Sequence, residues 1–270
     1  MIAPAEMIFT PFTLPGGRSI WIPADVNLQL PTSTSIQPSL IHYLIYIPWE
    51  DKYMEGIDPS YRGFFRTVLP YLHTRTTDVH VATCLPFVTE LLTAERRRGD
   101  ERVINLAFIL HDSGWSQMTE IEVANSLGVK GLVLAGAAIN PKLRHAELGV
   151  ELARRILMEY PFQPQLTTRQ IDSISQAILY HDRPQKLARM GIIPLELQVV
   201  CDVDHLWSFT HANFWQDTAR KSIDPKTYLN NLENDLDGYF VSEPAKLKAR
   251  KMLEQRALET NSWEEWIETH

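Results

Sequence analysis

"INLAFILHDSGWS", residues 104–116, decides how the rest of this chain is read. An almost wholly apolar run, with the spacing of a buried helix, ends in His111 and Asp112 side by side, and Gly114 follows. A helix that only has to stop can use Gly or Asn. An adjacent imidazole and carboxylate are metal-binding side chains, so the question is whether other His and Asp residues recur at similar helix ends. Alone, the pair could be a helix C-terminus with a favourable charge interaction.

Working outward, the chain turns helical from about Tyr61. "TTDVHVATCLPFVTELLTAERRRG" (76–99) has Thr or Asp at its N-cap, an apolar stripe, a basic last turn and a closing Gly99. "DERVINLAFILHDSG" (100–114) is the second helix. "PKLRHAELGVELARRILMEYP" (141–161) is the third, with Leu143, Leu148, Leu152 and Ile156 predicted as its buried face. "TTRQIDSISQAILYHD" (167–182) starts at capping threonines and carries Ile171, Ile174, Ala177 and Ile178 at helical spacing. "PLELQVVCDVDHLWSF" (194–209) reads as a more fully buried helix. Helices are also predicted over 224–240 and 243–259, and a short terminal turn over 261–268.

The first 40 residues differ. They are rich in Pro, Thr and β-branched residues, and "MIFTPFTLPGGRSIWIPAD" (7–25) predicts two short strands joined at Pro15-Gly16-Gly17. The fold class expected is therefore all-α, with a small N-terminal extension containing a β-hairpin. Residues 1–60 form that extension, 61–215 the metal-binding helical domain, and 216–270 C-terminal helices that pack on the core. The extension could be a lid or a dimer contact.

Composition narrows the function classes. The 270 residues are 44% hydrophobic with a formal net charge of −7. The longest basic run is Arg96-Arg97-Arg98. That argues against a nucleic-acid duplex or an anionic membrane as the main partner, but leaves room for a small anionic substrate in a locally positive pocket. Cys84 and Cys201 form no CxxC pair and point to a reducing compartment. No apolar stretch reaches the ~18 residues of a membrane span, and the N-terminus lacks a signal-peptide pattern, so a cytoplasmic protein is expected. A homo-oligomer is allowed.

His80 lies in the first helix, His111-Asp112 ends the second, His145 starts the third, His181-Asp182 ends the fourth, and Asp202 and Asp204 lie in the fifth. Five successive helices each offer a ligand-type side chain, which is how helical bundles build metal sites. Imidazole with carboxylate suits first-row divalent ions, and the scarcity of cysteine disfavours structural zinc. His73 is a substitute for His80, and helical periodicity does not separate Asp202 from Asp204. Lys142, Arg144, Arg183 and Lys186 flank His145 and His181 as a candidate phosphate clamp. Trp207, Phe209, His211 and Trp215 read as core more than as a base-stacking platform.

This ordered set, with "HD-x-G" and the aspartate of "CDVDHLW", resembles the H…HD…H…H…D pattern of the HD-domain superfamily over roughly residues 75–215. The resemblance implies an all-helical bundle of metal-dependent phosphohydrolase type. It makes His80, His111, Asp112 and Asp204 ligands of a first metal, with Asp204 preferred over Asp202 because His205-Leu206 follows it. His145 and His181 match histidines that hold a second metal or contact phosphate, and Asp112 would bridge a dinuclear pair. One or two divalent ions per chain are implied, Fe or Mn first, with Ni, Co, Mg or Zn as alternatives. The activity implied is hydrolysis of a small phosphate ester or nucleotide by a metal-activated water, with Asp112, His145 and His181 as catalytic residues. Relatives with the full six-residue set that act as mixed-valent di-iron oxygenases supply a second reading. A non-catalytic scaffold or sensor is the third. The pattern has two departures: Trp115 stands where many members carry Lys or His, and Ser116 and Gln117 stand where some nucleotidases carry Glu.

Overall fold

The computed structural model describes residues 7–32, 36, 38–95, 98–127 and 140–269. Two strands, β1 (Phe9–Thr13) and β2 (Ser19–Pro23), pair antiparallel with Phe9 opposite Pro23 and Thr13 opposite Ser19. Gly16 and Gly17 have φ of 95° and 85°, so the turn uses the backbone region that glycine enters without a Cβ penalty. Eleven α-helices are described: α1 (Arg62–Val68), α2 (Thr77–Ala94), α3 (Glu101–Leu110), α4 (Glu120–Asn125), α5 (Pro141–Glu159), α6 (Thr168–Tyr180), α7 (Pro184–Leu187), α8 (Leu195–Leu206), α9 (His211–Lys221), α10 (Pro225–Tyr239) and α11 (Glu243–Thr269). The fold is all-α with a small β-hairpin.

The core is a bundle of α2, α3, α6 and α8, each packed on the others' neighbours, with α5 laid against α6. In α3 every residue from Val103 to Leu110 is buried. Each such Leu, Ile or Phe contributes about 1.5–3 kcal/mol relative to exposure, which makes α3 the central element. Asp100 starts it by accepting the Val103 N–H at 3.1 Å, a cap that contributes about 1 kcal/mol. Thr167 and Gln170 form a reciprocal capping box at the start of α6. Residues of all three segments expected from the sequence share one buried cluster, from Phe9 through the bundle to Leu253. The hairpin joins it through Phe9, whose ring lies 5.8 Å from Trp215 and 5.9 Å from Trp266.

The structure corrects several sequence expectations. Helix α2 stops at Ala94, where Glu95 turns extended, so the expected basic last turn is not helical as far as it is described; Arg96 and Arg97 lie outside the described residues. Its N-cap, Thr76, makes no capping bond to the helix. Pro86 inside α2 leaves the carbonyl of Ala82 without its usual i+4 donor, and Gly56 packs against that oxygen so closely that a Cβ there would lie 2.5 Å from it. The buried residues of α5 are His145, Ala146, Gly149, Leu152, Ala153, Ile156 and Leu157, with Leu152 and Ile156 as expected. Leu143 and Leu148, expected among them, are only half-buried, because small residues let a neighbouring backbone come close. Residues 261–268 continue α11 as one 27-residue helix. Helix α9, read only as an aromatic stretch, is buried through Asn213–Arg220. Among the described residues no helix is long and apolar enough to cross a membrane.

Candidate metal centre

His111 and His181 occupy the same local position, the C-cap of α3 and of α6 respectively. Each donates its Nδ1–H to the carbonyl three residues back, Phe108 or Ile178, at 2.6 Å. That bond fixes the tautomer and leaves Nε2 as a lone pair aimed away from the helix. His145 follows the same logic with a longer contact to Pro141 O at 3.4 Å. Aromatic faces hold the rings: His80 stacks on Trp207 at 5.0 Å, His111 on Phe108 at 4.7 Å and His145 on Trp115 at 4.0 Å.

Gly114 explains itself here. The turn over Ser113–Gln117 lies directly on the backbone of α5, and a Cβ at Gly114 would collide with the carbonyl of His145. Gly149 on α5 faces it, with the His111 carbonyl 3.5 Å from its own notional Cβ. The two glycines bring the His111-Asp112 corner and His145 together.

Six side chains converge. His80, His111, Asp112 and Asp204 form one group whose ligand atoms all lie within 4.8 Å of one another, and Asp112, His145 and His181 form a second. Asp112 belongs to both. Its Oδ2 lies 3.6 Å from His80 Nδ1 and 3.6 Å from His111 Nε2. Its Oδ1 lies 3.3 Å from His145 Nε2 and 3.5 Å from His181 Nε2. Asp204 Oδ1 is 3.2 Å from His111 Nε2 and 3.6 Å from His80 Nε2. Donors about 2.1 Å from one ion at angles near 90–110° stand about 3.0–3.4 Å apart, close to these spacings. The Nε2 atoms of His80 and His111 are buried without a hydrogen-bond partner, and His145 Nε2 faces His181 Nε2 at 3.1 Å. Lone pairs crowded in this way need a cation or an extra proton between them. The residues therefore fit a metal ion, and these buried His and Asp groups can hold one.

At two of the histidines the electrostatics favour the form that can ligate. Burial lowers the pKa of His80 and of His145, against the pull of the nearby carboxylates, which favours the neutral ligand form. Burial acts the same way on His181, but Asp112 and the charges of Asp204 and Asp182 outweigh it and leave it pushed up to about 9. The histidines hold Asp112 and Asp204 below the usual carboxylate range despite the opposing effect of burial.

A cavity of about 320 Å³ opens over these groups. Of the four basic residues expected near the site, Lys142 lines it and reaches Asp182 Oδ1 at 2.9 Å. Arg144 pairs with Glu122 at 3.2 Å. Arg183 and Lys186 line an adjacent groove and lie over the Tyr180 ring at 5.9 and 4.7 Å. Asp202 is turned away from the site: its carboxylate accepts the N–H groups of Val241 and Ser242 at 2.6 and 3.1 Å, ahead of α11. His73 is exposed and donates to Asp78. His211 pairs with Asp25 and Glu259. Trp207 lines the cavity while Phe209 and Trp215 are core. Sequence reading missed Arg75, Asp217, Arg220 and Lys221 on the cavity wall. Arg75 precedes α2 in an irregular turn and the others sit on the unrecognised α9, so no periodicity pointed to them. No protein-family model, curated protein or solved structure matches this chain.

Proposed function

We propose that this protein is a metal-dependent phosphohydrolase of HD type, acting on a small phosphate ester or nucleotide. One observation carries the reading: Asp112 offers one carboxylate oxygen to His80 and His111 and the other to His145 and His181. Under this reading His80, His111, Asp112 and Asp204 would hold one ion, and Asp112, His145 and His181 a second. Bound divalent ions supply a water of lowered pKa and polarise phosphoryl oxygens. The chain's own residues do the rest. Trp115 and Trp207 keep the rings of His145 and His80 aligned. Trp115 also donates Nε1–H to Asp112 Oδ1 at 2.9 Å, which orients the shared carboxylate. Lys142 sits at the cavity wall to offset charge developing on the substrate, and its partner Asp182, grouped with Asp204 and His205, is a carboxylate outside the six ligands that can take up a proton.

The complete set of four histidines and two aspartates also supports a second reading, a di-iron oxygenase. Elemental analysis of protein purified without oxygen or added metal is the first test, expected to give about two ions per chain. His181→Ala should reduce this to about one. Phosphomonoester and nucleotide hydrolysis is then measured beside oxygen consumption. Oxygen consumption without hydrolysis would replace the first reading with the second. No bound metal after reconstitution would overturn both and leave a non-catalytic scaffold.

A further inference from the structure

Arg75 lies in the turn before α2 with φ 60° and ψ 19°, and Thr76 follows with φ 67° and ψ 23°. Two successive non-glycine residues in the left-handed region are strained and persist only where their surroundings hold them. Here the surroundings do. Thr76 Oγ1 accepts from the Ile47 N–H at 3.1 Å and from Gln216 Nε2 at 2.8 Å. Buried Arg220 donates from Nε to Ile45 O at 2.7 Å and stands 3.4 Å from the Arg75 carbonyl.

The product of this turn is the position of one guanidinium. Arg75 lies over the Trp115 ring at 4.4 Å, while His145 stacks on the same ring at 4.0 Å. Two groups that close to one indole occupy its two faces. The turn before α2 thus places a cation on the same indole that holds the His145 ring. Cation–π contact orients the guanidinium but does not neutralise it.

The charge balance of that wall is positive. Arg75, Arg220 and Lys221 all line the cavity. Asp217 serves both Arg220, at 3.7 Å, and Lys221, at 2.8 Å. Among the described residues no carboxylate pairs with Arg75. Three cations against one carboxylate leave this part of the cavity lining with an excess of two positive charges. Burial first, and Arg75 in addition, push Arg220 down to about 10 against the pull of Asp217, as mutual repulsion of two guanidiniums requires.

We infer that this wall is an oxyanion subsite, in which Arg75, backed by Arg220 and Lys221, holds a second phosphate-like group of the substrate. The group is distinct from the one that meets the metal centre, so the preferred substrate carries two anionic groups. Arg75 is the specificity-determining contact, because its planar fork suits a tetrahedral oxyanion. The subsite rests on the proposed reading that this cavity is where substrate binds.

Inorganic phosphate is the probe, titrated calorimetrically into wild-type protein freed of metal with a chelator. Wild type is expected to bind it, Arg75→Gln to weaken binding about tenfold or more, and Arg75→Lys and Lys221→Gln to weaken it less. Metal uptake by Arg75→Gln should match wild type. Equal phosphate affinity in wild type and Arg75→Gln, or no binding by wild type, would overturn the subsite and leave the metal reading intact. Arg75-dependent phosphate binding by a protein that takes up no metal would keep the subsite and sink the metal reading. If Arg75→Gln does not fold, Arg75→Lys and Lys221→Gln decide: unchanged affinity in both overturns the proposal.

Discussion

Asp202 and Asp204 sit two residues apart on α8 and do unrelated work. A helix turns about 100° per residue, so the two carboxylates leave α8 on different sides. Asp204 meets His111 at 3.2 Å, whereas Asp202 accepts two backbone N–H groups ahead of α11. Removing a buried acceptor from two N–H groups costs about 1–3 kcal/mol. Asp202→Ala should therefore lose about that much stability in urea unfolding while matching wild type in the metal uptake proposed above. Asp204→Ala should lose metal from the His80 and His111 group. Elemental analysis beside the unfolding curve checks both, and metal loss in Asp202→Ala with retention in Asp204→Ala would reverse the assignment.

At the scale of elements, the site depends on how closely the turn after α3 approaches α5. Gly114 and Gly149 make that contact, and only Gly114 has no room for a methyl group. Gly114→Ala forces backbone movement, expected to cost about 1–3 kcal/mol or more, and should also move Asp112 relative to His145. Gly149→Ala meets its nearest atoms at 3.3–3.5 Å and should be milder. Thermal unfolding and metal content together test this. A Gly114→Ala protein with wild-type melting temperature and full metal content would show that the close approach does not set the site.

Across the whole molecule, polar contacts as well as aromatic packing tie the N-terminal segment to the last helix. His211, at the start of α9, lies 3.3 Å from Asp25 and 3.0 Å from Glu259, and Trp263 Nε1 donates to the Trp21 carbonyl at 3.2 Å. Burial lowers the His211 pKa, but the Glu259 hydrogen bond and both carboxylates outweigh it, and the net shift is upward. A histidine whose folded pKa exceeds its unfolded value contributes its full stability below the unfolded value near 6.5, and that contribution is lost as pH rises through the folded pKa. Stability measured from pH 6 to 9 should fall by a component that His211→Gln removes. An identical pH dependence in the variant would show that the tie carries no linkage.

Periodicity made most of the helices legible, together with the hairpin at Gly16-Gly17, because apolar spacing and turn chemistry are local properties of the chain. The order of His80, His111-Asp112, His145 and His181 was legible for the same reason, since each sits at a recognisable place on a helix. Long-range contacts decided the rest. Only half of the α5 face could be read: Leu152 and Ile156 are buried as leucine spacing suggested, while the Gly114–Gly149 approach selected small residues over Leu143 and Leu148. Asp204 was separated from Asp202 only by which neighbours α8 meets. Arg75 and α9 stayed hidden, one in a left-handed turn that no local preference favours and the other in a helix with a mixed aromatic and polar pattern. Local sequence determined which ligand-type side chains exist and where α3 and α6 stop. Tertiary packing decided which of them meet, because backbone approach and side-chain direction at a helix end depend on the partner surface.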